Sequence, residues 1–174
     1  MSATNRGAVR KPQDSYYTPP YTVESLLSVL DLSSVFDFYE PCKGGGAIYD
    51  RVDVDLKDYA ELSEGIDYLT TDIHEVDLII TNPPFSSARE FIEKSLTEAG
   101  SVWYLLRTGF LESKERAEWW QGREPTHLLS LSARPSFTKT GTDSANYAWF
   151  GWDKLGICEL KPGIHILPYL KYKS

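Results

Sequence analysis

The chain alternates between short runs of apolar residues and longer stretches whose apolar residues recur with helical spacing. Among the apolar runs, VDLIIT (76–81) most clearly predicts a buried strand. Because strands and helices alternate through most of the chain, the pattern predicts an α/β fold, a mostly parallel sheet with helices on both faces. The other predicted strands are 35–40, 58–62, 101–107, 127–133 and 146–152, and the predicted helices are 22–30, 46–52, 87–100 and 113–121.

Local sequence signals predict one hairpin and the two ends of one helix. The last two predicted strands flank a loop rich in Thr, Gly and Asp, which predicts an antiparallel hairpin at the edge of the sheet. In the third helix, Ser87 and Glu90 have the spacing of a capping box, and Gly100 is expected to end the helix.

Length and composition fit one folded domain. The 174 residues, 41% of them apolar, include five Trp and eleven Tyr, which excludes a disordered chain. The first fourteen residues are polar and predict a flexible arm, neither a signal peptide nor a membrane anchor, followed by a single domain over 15–174. Two isolated cysteines and three scattered histidines predict a protein of a reducing cytosol with no metal site.

Charge is distributed unevenly along the chain. The net charge of −7 is acidic, but residues 1–87 hold six Lys and Arg against fifteen Asp and Glu, whereas residues 88–174 hold twelve against ten. If the partner is a polyanion, the C-terminal half should therefore face it. An ordinary acidic domain with a chance asymmetry is the alternative.

A glycine turn follows the first predicted strand. The strand 35–40 runs into PCKGGG, where consecutive glycines permit positive φ and close approach of the backbone to a ligand. In open parallel sheets ligands bind at the carboxyl ends of strands. The turn is not a P-loop, because no Gly-Lys-Ser/Thr follows, and the preceding Glu40 would repel phosphate and suit an amino group. A tight connection without a ligand is the alternative.

Acidic residues lie at the end of the second predicted strand and just after it. Glu61 is placed to accept hydrogen bonds from both hydroxyls of a ribose. Asp67 could accept a hydrogen bond from an adenine amino group while Tyr68 or Leu69 covers the ring; a simple turn with an aspartate is the alternative. Two other carboxylates compete for the ribose, Asp53 and Asp55, and surface solvation is the alternative for all three.

The tetrapeptide NPPF (82–85) follows the clearest strand. Each proline fixes φ, removes an N–H and restricts the residue before it to extended geometry. The Asn82 side-chain oxygen and the Pro83 carbonyl can therefore act together as acceptors for one planar amino group. Accepting both N–H bonds would free the nitrogen lone pair for attack, and fixed dipoles would stabilise the developing positive charge. Phe85 offers a flat stacking surface; a plain turn is the alternative.

Taken together, these segments resemble the class I methyltransferases that use S-adenosylmethionine, specifically the branch that methylates amino groups. EPCKGGG (40–46) is similar to the first cofactor-binding motif of this family, and SYYTPPYTVESLL (15–27) to an N-terminal motif whose Thr-Pro step meets the methionine end of the cofactor. YAEL (59–62) and GIDYL (65–69) match the ribose and adenine positions, and NPPF matches the catalytic motif.

The resemblance implies a Rossmann-like class I methyltransferase fold and S-adenosylmethionine as cofactor. The implied catalytic residues are Asn82, Pro83, Pro84 and Phe85. The implied cofactor-binding residues are Tyr17, Thr18, Pro19, Glu40, Pro41, Cys42, Gly44, Gly46, Glu61, Asp67, Tyr68 and Asn82.

The C-terminal part looks like small adenine methyltransferases of phage and prophage type, which extends the resemblance over residues 15–153. DNA methyltransferases of this family usually carry a separate domain that reads target sequence, and none is expected here. The loop 134–146 and the segment after Arg107 are the remaining candidates for contacting the target sequence. Arg107, Arg134 and Lys139 are expected to contact phosphates, and Phe137 to pack on an extruded base. A solvated loop and edge-strand packing are the alternatives.

The resemblance implies methylation of the adenine amino group in DNA after base flipping. The same motif acts on adenine in RNA and on glutamine amides in release factors, so these substrates stay open, as does a non-catalytic subunit that binds cofactor or nucleic acid. Lack of a reader domain is expected to give low sequence selectivity or a homodimer. We expect no membrane partner and a location in the cytoplasm of a bacterium or a phage-infected cell.

Overall fold

A computed structural model describes residues 17–137 and 144–170. In this part of the chain two helices and seven strands follow one another, joined by turns and by short 3₁₀ segments. The elements are α1 (Pro20–Leu27), β1 (Asp37–Glu40), β2 (Leu56–Tyr59), β3 (Val76–Thr81), α2 (Ala88–Glu98), β4 (Ala99–Arg107), β5 (His127–Ser130), β6 (Tyr147–Trp152) and β7 (Gly163–Ile166).

The seven strands form one mixed sheet in the order β2-β1-β3-β4-β6-β5-β7. The first four strands in this order run parallel, β6 is antiparallel to both β4 and β5, and β7 is parallel to β5. The predicted mostly parallel sheet with an antiparallel C-terminal hairpin is confirmed. The sequence pattern did not predict β7, which extends the sheet beyond β5.

Two apolar layers cover the sheet, one on each face. Along β3, Leu78 and Ile80 pack into the layer that contains α1, whereas Ile79 packs into the layer that contains α2. Strands buried on both faces form nearly continuous apolar runs, which is why VDLIIT was recognisable. The prediction of helices on both faces is therefore confirmed.

Two predicted helices are wrong. Residues 46–52 form consecutive turns, and Gly46 at their start has φ of +81°, outside the right-handed helical region. Residues 113–121 form a short 3₁₀ segment, Lys114–Arg116, followed by turns that bury Trp119 and Trp120. Nine residues are too few to form a stable helix on propensity alone, so tertiary packing decides their conformation.

The ends of α2 also differ from the prediction. Ser87 makes no side-chain capping bond; it closes a 3₁₀ turn in which its N–H donates to the Pro84 carbonyl at 3.0 Å. Gly100 belongs to β4 and does not end the helix, since α2 ends at Glu98 and the chain becomes extended at Ala99. No helix in the described ranges is long and apolar enough to cross a membrane.

Gly151 provides a test of the packing between β4 and β6. A Cβ atom at this position would overlap the fully buried ring of Trp103, which pairs with Gly151 across the two strands. Gly151→Ala is expected to destabilise the protein by about 1–3 kcal/mol through overpacking. Thermal unfolding measures the loss.

Gly109→Ala is the matched control, because nothing lies within 4 Å of a Cβ atom built there. Equal melting temperatures for the two variants would contradict the packing described here.

Candidate functional site

Three segments that are distant in sequence meet at the carboxyl edge of the sheet. They are the residues before α1, the glycine turn after β1 and the NPPF segment after β3. The Asn82 side-chain Nδ2 donates a hydrogen bond to Thr18 Oγ1 at 3.1 Å. The Tyr17 ring covers Gly45 so closely that a Cβ atom there would lie 2.6 Å from the ring. The first segment therefore holds the other two together.

The hydrogen bond to Thr18 orients the Asn82 amide. With Nδ2 engaged, the oxygen Oδ1 is the free end of the side chain. Among the described residues, no hydrogen-bond donor reaches Asn82 Oδ1 or the Pro83 carbonyl, whereas the Pro84 carbonyl accepts the Ser87 N–H. Asn82 and Pro83 thus present two acceptors, as the proposed recognition of an amino group requires.

Glu40 ends β1 as a buried carboxyl group with only 1% of its surface exposed. Its Oε2 has no hydrogen-bond partner among the described residues. Burial raises the pKa of Glu40 well above its ordinary value, and a hydrogen bond from the Tyr49 backbone offsets only part of that rise. A buried acceptor without a donor is costly, and an amino group of a ligand would satisfy it.

The glycine turn is bonded to Glu61. Gly44 and Gly46 have φ of +52° and +81°, and the Gly44 N–H donates to Glu61 Oε2 at 2.7 Å. Partial burial alone would raise the pKa of Glu61, but hydrogen bonds from Ser63 and Gly44 outweigh it, and the pKa lies below its ordinary value. A charged carboxylate therefore stands beside the turn.

The other two candidates for the ribose lie elsewhere. Asp53 and Asp55 precede β2 and so lie toward its amino end, whereas Glu61 follows its carboxyl end. Because β1 and β2 are parallel, the glycine turn after β1 and Glu61 after β2 lie at the same edge of the sheet, the carboxyl edge. Glu61 is the carboxylate of the three that contacts the turn.

Within the glycine turn, Pro41 is buried and Cys42 is half-buried. Burial, followed by the negative charges of Glu61 and Glu40, raises the pKa of the Cys42 thiol to about 12. The thiol is therefore protonated at neutral pH and is not a nucleophile.

Tyr68 lies in the core and not at the surface of the site. Only 1% of its surface is exposed, and its hydroxyl lies 2.9 Å from Ser95 Oγ and donates to Glu98 at 2.7 Å. Its ring is therefore not available to cover a ligand at the surface, contrary to the sequence-based expectation. Asp67 accepts the Leu69 N–H within its own turn, and Leu69 is the more exposed neighbour.

An aromatic cluster adjoins the NPPF segment on the other side. The rings of Phe85 and Tyr147 lie 6.0 Å apart, and the Arg107 guanidinium lies 4.6 Å from the centre of the Phe85 ring. Arg107 Nε also donates to the Tyr147 hydroxyl at 3.1 Å. Arg107 is thus held against aromatic rings next to the expected catalytic segment.

Phe137 is buried and packs against Tyr147, with ring centres 4.9 Å apart. It supports the aromatic cluster from the core. Of the two interpretations of Phe137, packing within the protein therefore describes its position, and not packing on an extruded base. Arg134 is exposed, and Lys139 lies outside the described residues. The sequence reasoning did not single out Tyr147; its proximity to Arg107 follows from the antiparallel register of β4 and β6, which only the fold supplies.

A cavity of about 320 Å³ opens beside this cluster. It lies where β4 and β5 end and β6 begins. The lining residues are Thr108, Ser130, Leu131, Ala133, Arg134, Asn146 and Tyr147.

No protein-family model and no curated protein matches the sequence. Solved structures do match the fold. They include a proposed class I S-adenosylmethionine-dependent methyltransferase from Listeria monocytogenes, with a TM-score of 0.57, 13% identity and 86% of this chain covered. The chain spans 64% of that protein.

Two further solved structures are similar. A proposed RNA methyltransferase from Pyrococcus horikoshii has a TM-score of 0.54 and 14% identity over 76% of this chain and 79% of its own. A type I restriction-modification methyltransferase subunit from Streptococcus thermophilus has a TM-score of 0.53 and 14% identity over 90% of this chain and 46% of its own. These likenesses confirm the Rossmann-like fold of class I methyltransferases.

Glu40→Gln tests the cost of the buried carboxyl group. Because the folded-state pKa is raised, the folded protein keeps a proton that the unfolded chain releases, and stability falls as pH rises above the ordinary value of 4.5. The amide cannot ionise, so the variant is expected to melt higher than the ligand-free parent protein near neutral pH. Each kcal/mol gained corresponds to roughly 2–4 °C.

The gain should shrink as pH is lowered below the ordinary value of 4.5, because Glu40 then becomes protonated in both states. Glu90→Gln, which removes an exposed carboxylate from α2, serves as control. A gain that is independent of pH would contradict this account of Glu40.

Proposed function

We propose that the chain transfers a methyl group from S-adenosylmethionine to the exocyclic amino group of adenine in DNA. The observation that carries the proposal is the Asn82 amide, which is anchored by Thr18 so that Oδ1 and the Pro83 carbonyl are both available as acceptors. A pair of fixed acceptors without nearby donors suits a planar NH₂ group.

The residues around the glycine turn fit the cofactor. Glu40 supplies a buried acceptor that needs a donor, which the amino group of the methionine moiety would provide. Glu61 would accept from the ribose hydroxyls beside the glycine turn, and Asp67 from the adenine amino group. Tyr17, Thr18 and Pro19 would enclose the methionine end. When bound, S-adenosylmethionine supplies an electrophilic methyl group on a sulfonium.

Asn82 and Pro83 would activate the target nitrogen. The two acceptors take the two N–H bonds of the adenine amine, which draws the nitrogen toward tetrahedral geometry and frees its lone pair. As positive charge develops on the nitrogen, Asn82 Oδ1 and the Pro83 carbonyl stabilise it, and the excess proton then passes to water. This route needs no strong base.

Phe85 would hold the target base by stacking, with Arg107 and Tyr147 behind it. A base inside a duplex cannot reach this edge of the sheet, so the target must be extruded, at a cost of a few kcal/mol. Stacking on an aromatic ring returns about 1–3 kcal/mol.

The choice of DNA rests on the resemblance of the C-terminal part to small adenine methyltransferases and on the charge of residues 88–174. Adenine in RNA is the second candidate, since one structure of similar fold is described as an RNA methyltransferase. Incubation with labelled S-adenosylmethionine and DNA or RNA, followed by digestion to nucleosides and mass spectrometry, distinguishes the two. Binding of the cofactor without methylation of any polymer would favour a non-catalytic subunit.

Asn82→Ala is expected to lower kcat by about 10²–10³-fold, the usual effect of losing one preorganised hydrogen-bonding group. Cofactor affinity, measured by calorimetry, should change little. Ser87→Ala is the control, because the Ser87 side chain makes no capping bond in the same segment. An Asn82→Ala variant as active as the control would remove Asn82 from the mechanism.

Thr18→Val is expected to lower kcat by about fivefold, because a single neutral hydrogen bond is worth about 1 kcal/mol. Without it, the Asn82 amide is free to rotate away from the target. Thr18→Ser keeps the hydroxyl and should keep the rate. If the valine and serine variants turn over equally fast, the hydrogen bond does not position Asn82.

A further inference from the structure

The cavity beside the aromatic cluster lies next to Phe85, the residue on which the target base is proposed to stack. Tyr147 belongs to both features, since it lines the cavity and its ring lies 6.0 Å from that of Phe85. Phe85 and Asn82 do not line the cavity. A ligand in the cavity would therefore be a neighbour of a base stacked on Phe85.

The lining carries hydrogen-bonding groups that are weakly used within the protein. The hydroxyls of Thr108 and Ser130 have hydrogen bonds only at 3.5 Å, the outer limit for such a bond, within the described residues. The exposed Asn146 contributes a side-chain amide, and its backbone carbonyl accepts the Thr108 N–H at 2.9 Å. These groups are held on fixed backbone and are available to a ligand.

A cation and an apolar surface complete the cavity. Arg134 is exposed. Its backbone is held against α1, because the Tyr21 hydroxyl donates to the Arg134 carbonyl at 3.0 Å. The partly exposed Leu131 and Ala133 supply apolar surface. An amide, two hydroxyls and a guanidinium together match a base edge and a phosphate.

The size of the cavity limits the ligand. A volume of about 320 Å³ lies at the lower end of the range of small-molecule sites. One nucleotide fits this description, whereas a longer stretch of nucleic acid does not.

We propose that this cavity binds the nucleotide next to the target adenine in the same strand and reads its base. Asn146, with Thr108 and Ser130, contacts the base edge, and Arg134 contacts the phosphate. The inference rests on the proposed function and adds to it a preference for one flanking base.

The experiment measures methylation of a pool of single-stranded DNA in which the positions flanking one adenine are random. The unaltered protein is expected to prefer one base at one adjacent position by about tenfold, within the range for a bidentate contact. Asn146→Ala is expected to reduce that preference to about twofold or less, mainly by slowing methylation of the preferred sequence. Gln121→Ala, which removes an exposed amide away from the cavity, should leave the preference unchanged.

Two further variants test the separate roles. Asn146→Asp keeps the size of the side chain but exchanges an amide donor for an acceptor, and it should change which flanking base is preferred. Arg134→Gln should raise KM for every flanking sequence alike and reduce the slope of log affinity against log salt by about 1. Cofactor binding, measured for each variant, shows that it is folded.

The outcomes separate this inference from the proposed function. If the unaltered protein binds cofactor but methylates neither DNA nor RNA, the proposed function fails. If it methylates adenine with equal rates for all flanking bases, the proposed function holds and the flanking-nucleotide site is wrong. A preference that persists in both Asn146 variants would also overturn the site.

Discussion

The candidate site depends on one hydrogen bond, from Asn82 Nδ2 to Thr18 Oγ1. It joins the segment before α1 to the end of β3 across 64 positions of sequence. By engaging the nitrogen of the amide, it leaves the oxygen Oδ1 as an acceptor without a donor among the described residues, like the Pro83 carbonyl. The two prolines make this arrangement rigid, because they fix the backbone and remove the donors that would otherwise occupy those acceptors.

Around this bond, the fold keeps polar groups at the carboxyl edge of the sheet incompletely satisfied. Glu40 is buried with an oxygen that has no donor in the described structure, and burial raises its pKa. The fold can carry this cost because β3 and β4 are buried on both faces and contribute apolar residues to both layers of the core. A ligand with an amino group would gain binding energy by relieving the cost, which links stability of the empty protein to occupation of the site.

Sequence alone predicted the features that depend on local chemistry. The strand 76–81 was predicted with its observed bounds because its residues are apolar on both faces. The helix predicted at 46–52 was wrong, because a glycine permits a positive φ such as that of Gly46 but does not require it. The angle is known only from the folded turn. Tyr68 was assigned to the ligand because a buried hydroxyl network with Ser95 and Glu98 is invisible in a sequence. Tyr147 and the cavity arise from the register between β4 and β6, and no local signal marks them.

The most direct test of the central claim is a crystal structure of the protein with a non-reactive analogue of S-adenosylmethionine and an adenine-containing oligonucleotide. The account predicts that the adenine amino nitrogen lies about 3 Å from both Asn82 Oδ1 and the Pro83 carbonyl oxygen. It also predicts that Asn82 Nδ2 still donates to Thr18. An Asn82 oxygen bonded within the protein, or an adenine amine held by other groups, would contradict it.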